Sequence, residues 1–234
     1  METAVVIAFG GSVLSFDKDY FKNFREFLER LSEEFRIYVV VGGGKVARKY
    51  IQFGREMGID EEKLDRIGID VTRLNARLIS YIVGADGFVP ENTDEAAKSN
   101  APIVVMGGTT PGHSTDTVAA ELAEKTKASI LLIATDVKGV YDKDPKKHAD
   151  AKLLETLYVE DLIESFGTGW EKAGDSMVID GPALEIIRKG NFRVAVVDGR
   201  DILSPGSVPR ECLYVGVGRP WIEGGSEGDT EEAG

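Results

Sequence analysis

The chain has 234 residues, 42% of them hydrophobic and 29% charged, a balance that excludes a disordered polymer and allows one large α/β domain or two joined lobes. A formal net charge of −12 argues against non-specific binding to nucleic acid or to an anionic membrane. A phosphate ligand stays open, because backbone N–H groups and a few cations suffice to hold one. The lone Cys212 excludes an intrachain disulfide and fits a reducing, cytoplasmic setting. No Cys/His spacing of a metal site is present, Met1-Glu2-Thr3 opens nothing like a secretion signal, and no apolar run reaches the roughly 18 residues of a membrane span.

Residues 4–9 form a continuous apolar run of strand type that ends in Gly10-Gly11-Ser12. Residues 17–31 carry Phe21, Phe24, Leu28 and Leu31 at helical spacing. A second buried-type strand, 37–41, ends in Gly42-Gly43-Gly44. The helix predicted over 46–57 places Val46, Tyr50, Ile51 and Met57 on its inner side, and the next, over 67–82, has Ile67, Val71, Leu74, Leu78 and Ile82 in register. Strand 103–106 ends in Gly107-Gly108, a polar loop leads to a helix over 116–127, and strand 130–134 ends in Thr135-Asp136. Helices over 157–166 and 182–189 and strands over 193–197 and 213–217 follow. Strand–helix alternation with continuous apolar strands implies an α/β fold: a parallel-rich central sheet covered on both faces. From Gly218 the chain is rich in glycine and acid and reads as a tail.

Four of these strands end in a glycine-rich or polar loop, and ligands of open α/β sheets gather at the carboxyl ends of strands. Gly10, Gly11 and Ser12 suit backbone closure on an anion, or an ordinary β–α turn. In Gly42-Gly43-Gly44-Lys45 the glycines bare the backbone, and Lys45 and Arg48 stand near the helix start, toward an anion or simply toward solvent. The same stretch formally fits the dinucleotide fingerprint G-x-G-x-x-A, but that reading leaves the other loops unused. Thr110, Pro111, Gly112, His113, Ser114, Thr115 and Asp116 concentrate hydrogen-bonding groups before a helix that Asp116 can cap. The stretch from Thr135 and Asp136 through Tyr141 to Asp144-Pro145 is the most distinctive in the chain: Asp136 suits the positioning of lysines or nucleotide, Tyr141 suits a purine face, and Asp144-Pro145 fixes the loop end.

Taken together, GGS after the first strand, GGGK after the second, GGTTPGHSTD and TDVKGVYDKDP resemble the amino-acid kinase superfamily, and closely its archaeal-type uridylate kinase branch. Asp65-Arg66-Ile67-Gly68-Ile69, Thr72-Arg73-Leu74-Asn75-Ala76, and Glu171-Lys172-Ala173-Gly174 leading to Val178-Ile179-Asp180 extend the resemblance over about residues 4–197. It implies a three-layer αβα sandwich and transfer of the ATP γ-phosphate to UMP, with Mg²⁺ on the nucleotide, in pyrimidine nucleotide synthesis. By the same resemblance, Gly10, Gly11, Ser12, Gly44, Arg48, Thr135, Tyr141 and Asp144 bind ATP. Gly43, Asp65 and residues 110–116 bind UMP, and Lys45, Arg48 and Asp136 serve the transfer. An N-terminal lobe (1–127) for UMP, a C-terminal lobe (128–217) for ATP and a homo-hexamer are further implications.

Two departures qualify this resemblance. Many members of the superfamily carry a lysine where this chain has Ala8, although archaeal members often lack it; Lys45, or Lys172, is the candidate replacement. Residues 202–234 do not align with the usual ending. The rival readings are a kinase of the same fold acting on acetylglutamate, aspartate, carbamate or isopentenyl phosphate, and a non-catalytic nucleotide sensor or oxyanion store.

Overall fold

The computed structural model describes residues 3–14, 17–136, 139–142, 148–154, 156–166, 179–199 and 213–216. Among them, strands β1 (Ala4–Phe9), β2 (Arg36–Val41), β3 (Ile103–Met106), β4 (Ile130–Thr135), β5 (Thr156–Tyr158), β6 (Arg193–Asp198) and β7 (Leu213–Gly216) form one sheet in the order β3-β2-β1-β4-β6-β7-β5. The first five strands in that order run parallel; β7 is antiparallel to β6 and parallel to β5. The expected parallel-rich sheet is present, and it continues without a break from β1 into β4.

Alternation along each strand divides the apolar residues between two cores. Val5, Ile7 and Phe9 face α1 (Lys18–Leu31) and α3 (Glu61–Ile82); Val6 and Ala8 face α5 (Thr115–Thr126) and α7 (Gly181–Lys189). These two helical layers make the αβα sandwich. Ala8, where a superfamily lysine is common, is fully buried among the apolar residues of the second layer.

Helix α1 follows its predicted pattern. Asp17 caps it by accepting from the Tyr20 amide at 2.8 Å, and Phe21, Phe24 and Leu28 are buried. The Tyr20 hydroxyl donates to the Gly199 carbonyl at 2.8 Å, tying α1 to the loop after β6, and burial, followed by the charge of Asp198, raises its pKa above the usual tyrosine value.

Other predictions need correction. Helix α2 (Gly44–Glu56) does not bury Tyr50 or Met57, which are 58% and 66% exposed; it buries Ala47 and Gly54 instead. The reason is close packing on α3, where a Cβ on Gly54 would collide with the Leu64 side chain. Helix α3 starts at Glu61, earlier than the apolar pattern implies, because Asp60 caps it by accepting from the Lys63 amide at 3.0 Å. Its buried face is Leu64, Val71, Asn75, Ala76 and Ile79, whereas Leu74 (65% exposed) and Leu78 point outward. A short α4 (Thr93–Lys98), capped by Asn92, was not anticipated. The predicted helix over 157–166 is instead β5 followed by α6 (Val159–Phe166). Of the predicted tail, 218–234, nothing lies within the described residues.

Phe24 is 1% exposed and stacks on Phe9, with ring centroids 4.8 Å apart. Phe24→Ala should lower unfolding free energy by about 3–5 kcal/mol. Urea denaturation reads this directly, and an unshifted midpoint would contradict the packing described.

Candidate active site

The site begins where β1 and β2 end side by side. Gly42 N donates to Phe9 O at 2.9 Å and Gly10 N to Ala134 O at 3.1 Å, so three strand ends are clamped by backbone alone. A Cβ on Gly11 would run into the Gly44 nitrogen, so the two loops touch backbone to backbone. Gly44 has φ +63°, a left-handed conformation that costs other residues. Gly43 caps α2 without a side-chain partner, leaving the first amides of that helix available to an anion.

Helix α3 buttresses this junction from behind. The Asn75 side chain, 5% exposed, donates from Nδ2 to Gly42 O at 3.0 Å and to Gly43 O at 3.3 Å. The Thr72 hydroxyl accepts from Gly108 N at 2.6 Å and donates to Ile69 O at 2.7 Å. Arg73 Nε donates to Gly108 O at 3.2 Å and its Nη2 to Glu91 O at 3.1 Å. None of these three residues was assigned a role from sequence. Their signal was a run of polar side chains on the inward face of a helix.

Between the loops and α3 lies a cavity of about 580 Å³. Among the predicted residues, Gly11, Gly43, Gly44, Arg48, Asp65, Thr110, Pro111, Gly112, His113, Ser114 and Thr115 line it, joined by Gly42, Gly68, Thr72 and Gly108. The cavity walls therefore combine bare glycine backbone, hydroxyl side chains and His113, one exposed guanidinium, one exposed carboxylate and an apolar patch of Ala47, Ile51 and Ile69. His113 N donates to Thr110 O at 3.2 Å, Gly112 turns at φ +80°, and His113 Nδ1 lies 3.3 Å from Glu121 Oε1.

Gly10, Ser12, Lys45, Asp116, Thr135, Asp136 and Tyr141 do not line this cavity. Lys45 is exposed on the first turn of α2, and Asp116 is half-buried on the first turn of α5. Asp116 does not cap α5; Ser114 does, its Oγ accepting from Thr117 N at 3.0 Å. Thr135 O accepts from Gly199 N at 2.8 Å at the end of β4, with Asp136 the next residue. Tyr141 pairs with Leu153 in an isolated antiparallel bridge, next to which Lys152 N donates to Asp142 Oδ1 at 2.8 Å. Asp144 and Lys172 lie outside the described residues.

The model of the amino acid kinase family matches residues 3–198. A relative from Methanobrevibacter smithii, called uridylate kinase, is 42% identical over 203 residues, which cover 84% of this chain and 90% of the relative. Another of that name, from Methanothermobacter thermautotrophicus, is 42% identical over 203 residues, covering 84% and 91%. The crystal structure of uridylate kinase from Archaeoglobus fulgidus superposes with a TM-score of 0.80 at 37% identity, covering 92% of this chain and all of that one. The fold is that of a small-molecule kinase. The chain belongs to the amino acid kinase family.

Burial, and then the charge of Asp180, push the Asp116 carboxyl up from the ordinary value of 3.8 to about 7. The folded chain thus binds this proton more tightly than the unfolded chain, so the contribution of Asp116 to stability is full below pH 3.8 and is lost as pH rises toward about 7. Asp116→Asn should remove that slope. The stability of the variant relative to the parent, from urea midpoints, should grow between pH 4 and about 7 and then level off. A pH-independent difference would contradict the assignment.

Proposed function

We propose that this chain is a UMP kinase, transferring the γ-phosphate of ATP to UMP to give UDP in the pyrimidine nucleotide pathway toward CTP. The observation that carries the reading is one cavity that gathers the start of α2, which no side chain caps, with Arg48, Asp65 and the 110–115 loop. Its size lies within the roughly 300–1,000 Å³ of small-molecule sites. The relatives named uridylate kinase, matched over most of both chains, support the same acceptor.

Phosphoryl transfer asks for alignment and charge neutralisation more than covalent help. In this reading Gly43, Asp65 and residues 110–116 hold UMP, with Asp65 on the ribose. Gly10, Gly11, Ser12, Gly44 and Arg48 approach the ATP phosphates, and Thr135, Tyr141 and Asp144 take the adenosine. Lys45 supplies the charge that Ala8 cannot, by swinging from its exposed position on α2 toward the phosphates, and Asp136 orients the groups around them. Mg²⁺ enters with the nucleotide and neutralises phosphate charge.

A cytoplasmic enzyme assembled as a homo-hexamer completes the proposal. Its support is that α2 and α3 turn Tyr50, Phe53, Met57, Leu74, Leu78 and Tyr81 outward, a surface suited to a second copy. Among the described residues, no helix is long and apolar enough to cross a membrane.

The test is an ADP-release assay with ATP and Mg²⁺, comparing UMP with CMP, dUMP, acetylglutamate, aspartate, carbamate and isopentenyl phosphate. Turnover with UMP and not with the amino-acid, carbamate or isoprenoid acceptors is expected; turnover with one of those instead would overturn the acceptor. Asp65→Asn should raise KM for UMP by about 10- to 100-fold, the loss of one charged hydrogen bond, while KM for ATP stays within about twofold. Lys45→Met should lower kcat by at least about tenfold, and unchanged turnover would remove Lys45 from the transfer step.

A further inference from the structure

Asp180, which no part of the reading above uses, holds together two helix starts that are far apart in sequence. As the N-cap of α7 it accepts from Ala183 N at 3.0 Å through Oδ1. The same oxygen accepts from the Thr117 hydroxyl at 2.9 Å, and Oδ2 accepts from the Ser114 hydroxyl. A simple cap needs neither of the last two bonds. Thr117 is 2% exposed and Asp180 is half-buried, so the bonds form where water competes poorly.

Ser114 is the hinge of this arrangement. Its Oγ accepts from Thr117 N to cap α5, and its one proton goes to Asp180. The side chain therefore has no donor left for a ligand. The 110–115 loop, whose residues 110–113 are exposed, must offer an acceptor its backbone amides and its remaining side chains. The position of that backbone is set where the loop ends, at Ser114.

We propose that Asp180 is a positioning residue for the acceptor: through the Ser114 and Thr117 hydroxyls it fixes the end of the 110–115 loop to α7. This rests on reading that loop as part of the UMP site. A second consequence is that α7, which touches none of the cavity, governs affinity for the acceptor and not for ATP.

Asp180→Asn tests this without removing the cap, since Asn caps a helix about as well as Asp. Its amide nitrogen cannot accept, so one of the two hydroxyls loses its acceptor. KM for UMP should rise about tenfold with KM for ATP within about twofold and with the melting temperature close to that of the parent. Ser114→Ala should raise KM for UMP alike, with a lower melting temperature because it also removes the α5 cap, and KM for UMP in the double variant should be no higher than in the worse single one, as for two residues of one linkage. A KM for UMP within twofold of the parent, an equal rise for ATP, or effects that multiply in the double variant would each overturn the proposal.

Hydrogen–deuterium exchange of residues 110–117 gives a readout independent of the acceptor. Exchange there should speed up about tenfold in Asp180→Asn, and unchanged exchange refutes the brace. If the parent fails to phosphorylate UMP, the functional reading falls, while the exchange result still decides the role of Asp180.

Discussion

Backbone contact between two glycine loops is the constraint around which the site is organised. β1 and β2 are adjacent and parallel and end at the same level, so their loops emerge into the same space. Side chains would force the loops apart. With Gly11 against Gly44 and Gly42 against Gly11, the peptide groups meet directly, and α2 starts at the point of contact. The glycines therefore have a structural duty besides any toward phosphate. They bring a helix N-terminus, with its unpaired amides, to the carboxyl edge of the sheet.

Helix α3 converts that junction into a cavity. It crosses behind the loops with Thr72, Arg73 and Asn75 facing the backbones of Gly42, Gly43 and Gly108, each held by a hydrogen bond. One turn earlier Gly68, and two turns earlier Asp65, reach the cavity wall. A single helix thus fixes the floor of the site through buried polar bonds and supplies its exposed carboxylate. Buried amide and hydroxyl groups of this kind are costly unless paired, and among the described residues every fully buried side-chain nitrogen and oxygen has a partner. The pairing ties the backbones of the second and third loops to α3.

The other side of the sheet contributes through α5 and α7. Their starts share the Asp180 carboxylate, and Asp116 lies close enough to feel its charge. Two acidic groups in a half-buried place make ionisation of one costly for the other.

Much of this was legible in the sequence, because apolar runs and glycine clusters are local signals. Each core strand was visible as an apolar run, and the loops after β1, β2, β3 and β4 were recognisable from their glycines, hydroxyls and carboxylates. The clustering of Gly43, Arg48, Asp65 and residues 110–115 followed once those strands were parallel and adjacent. Helix faces were a different matter. α3 carries apolar residues on two faces, and spacing alone cannot tell Leu74 and Leu78 from Val71 and Ile79; packing against the sheet chose between them. α2 shows the same limit, since Gly54 is buried only because Leu64 approaches it. Asp180 and Asn75 likewise belonged to stretches that carry the resemblance but had no assigned role until the fold set them against Ser114, Gly42 and Gly43. Every described strand except β5, the order of appearance and the chemistry of the loops were determined by the sequence itself, all encoded in neighbouring residues. Which helix faces are buried and which carboxylate braces which hydroxyl depend on contacts between residues tens of positions apart, and only the tertiary structure decided those.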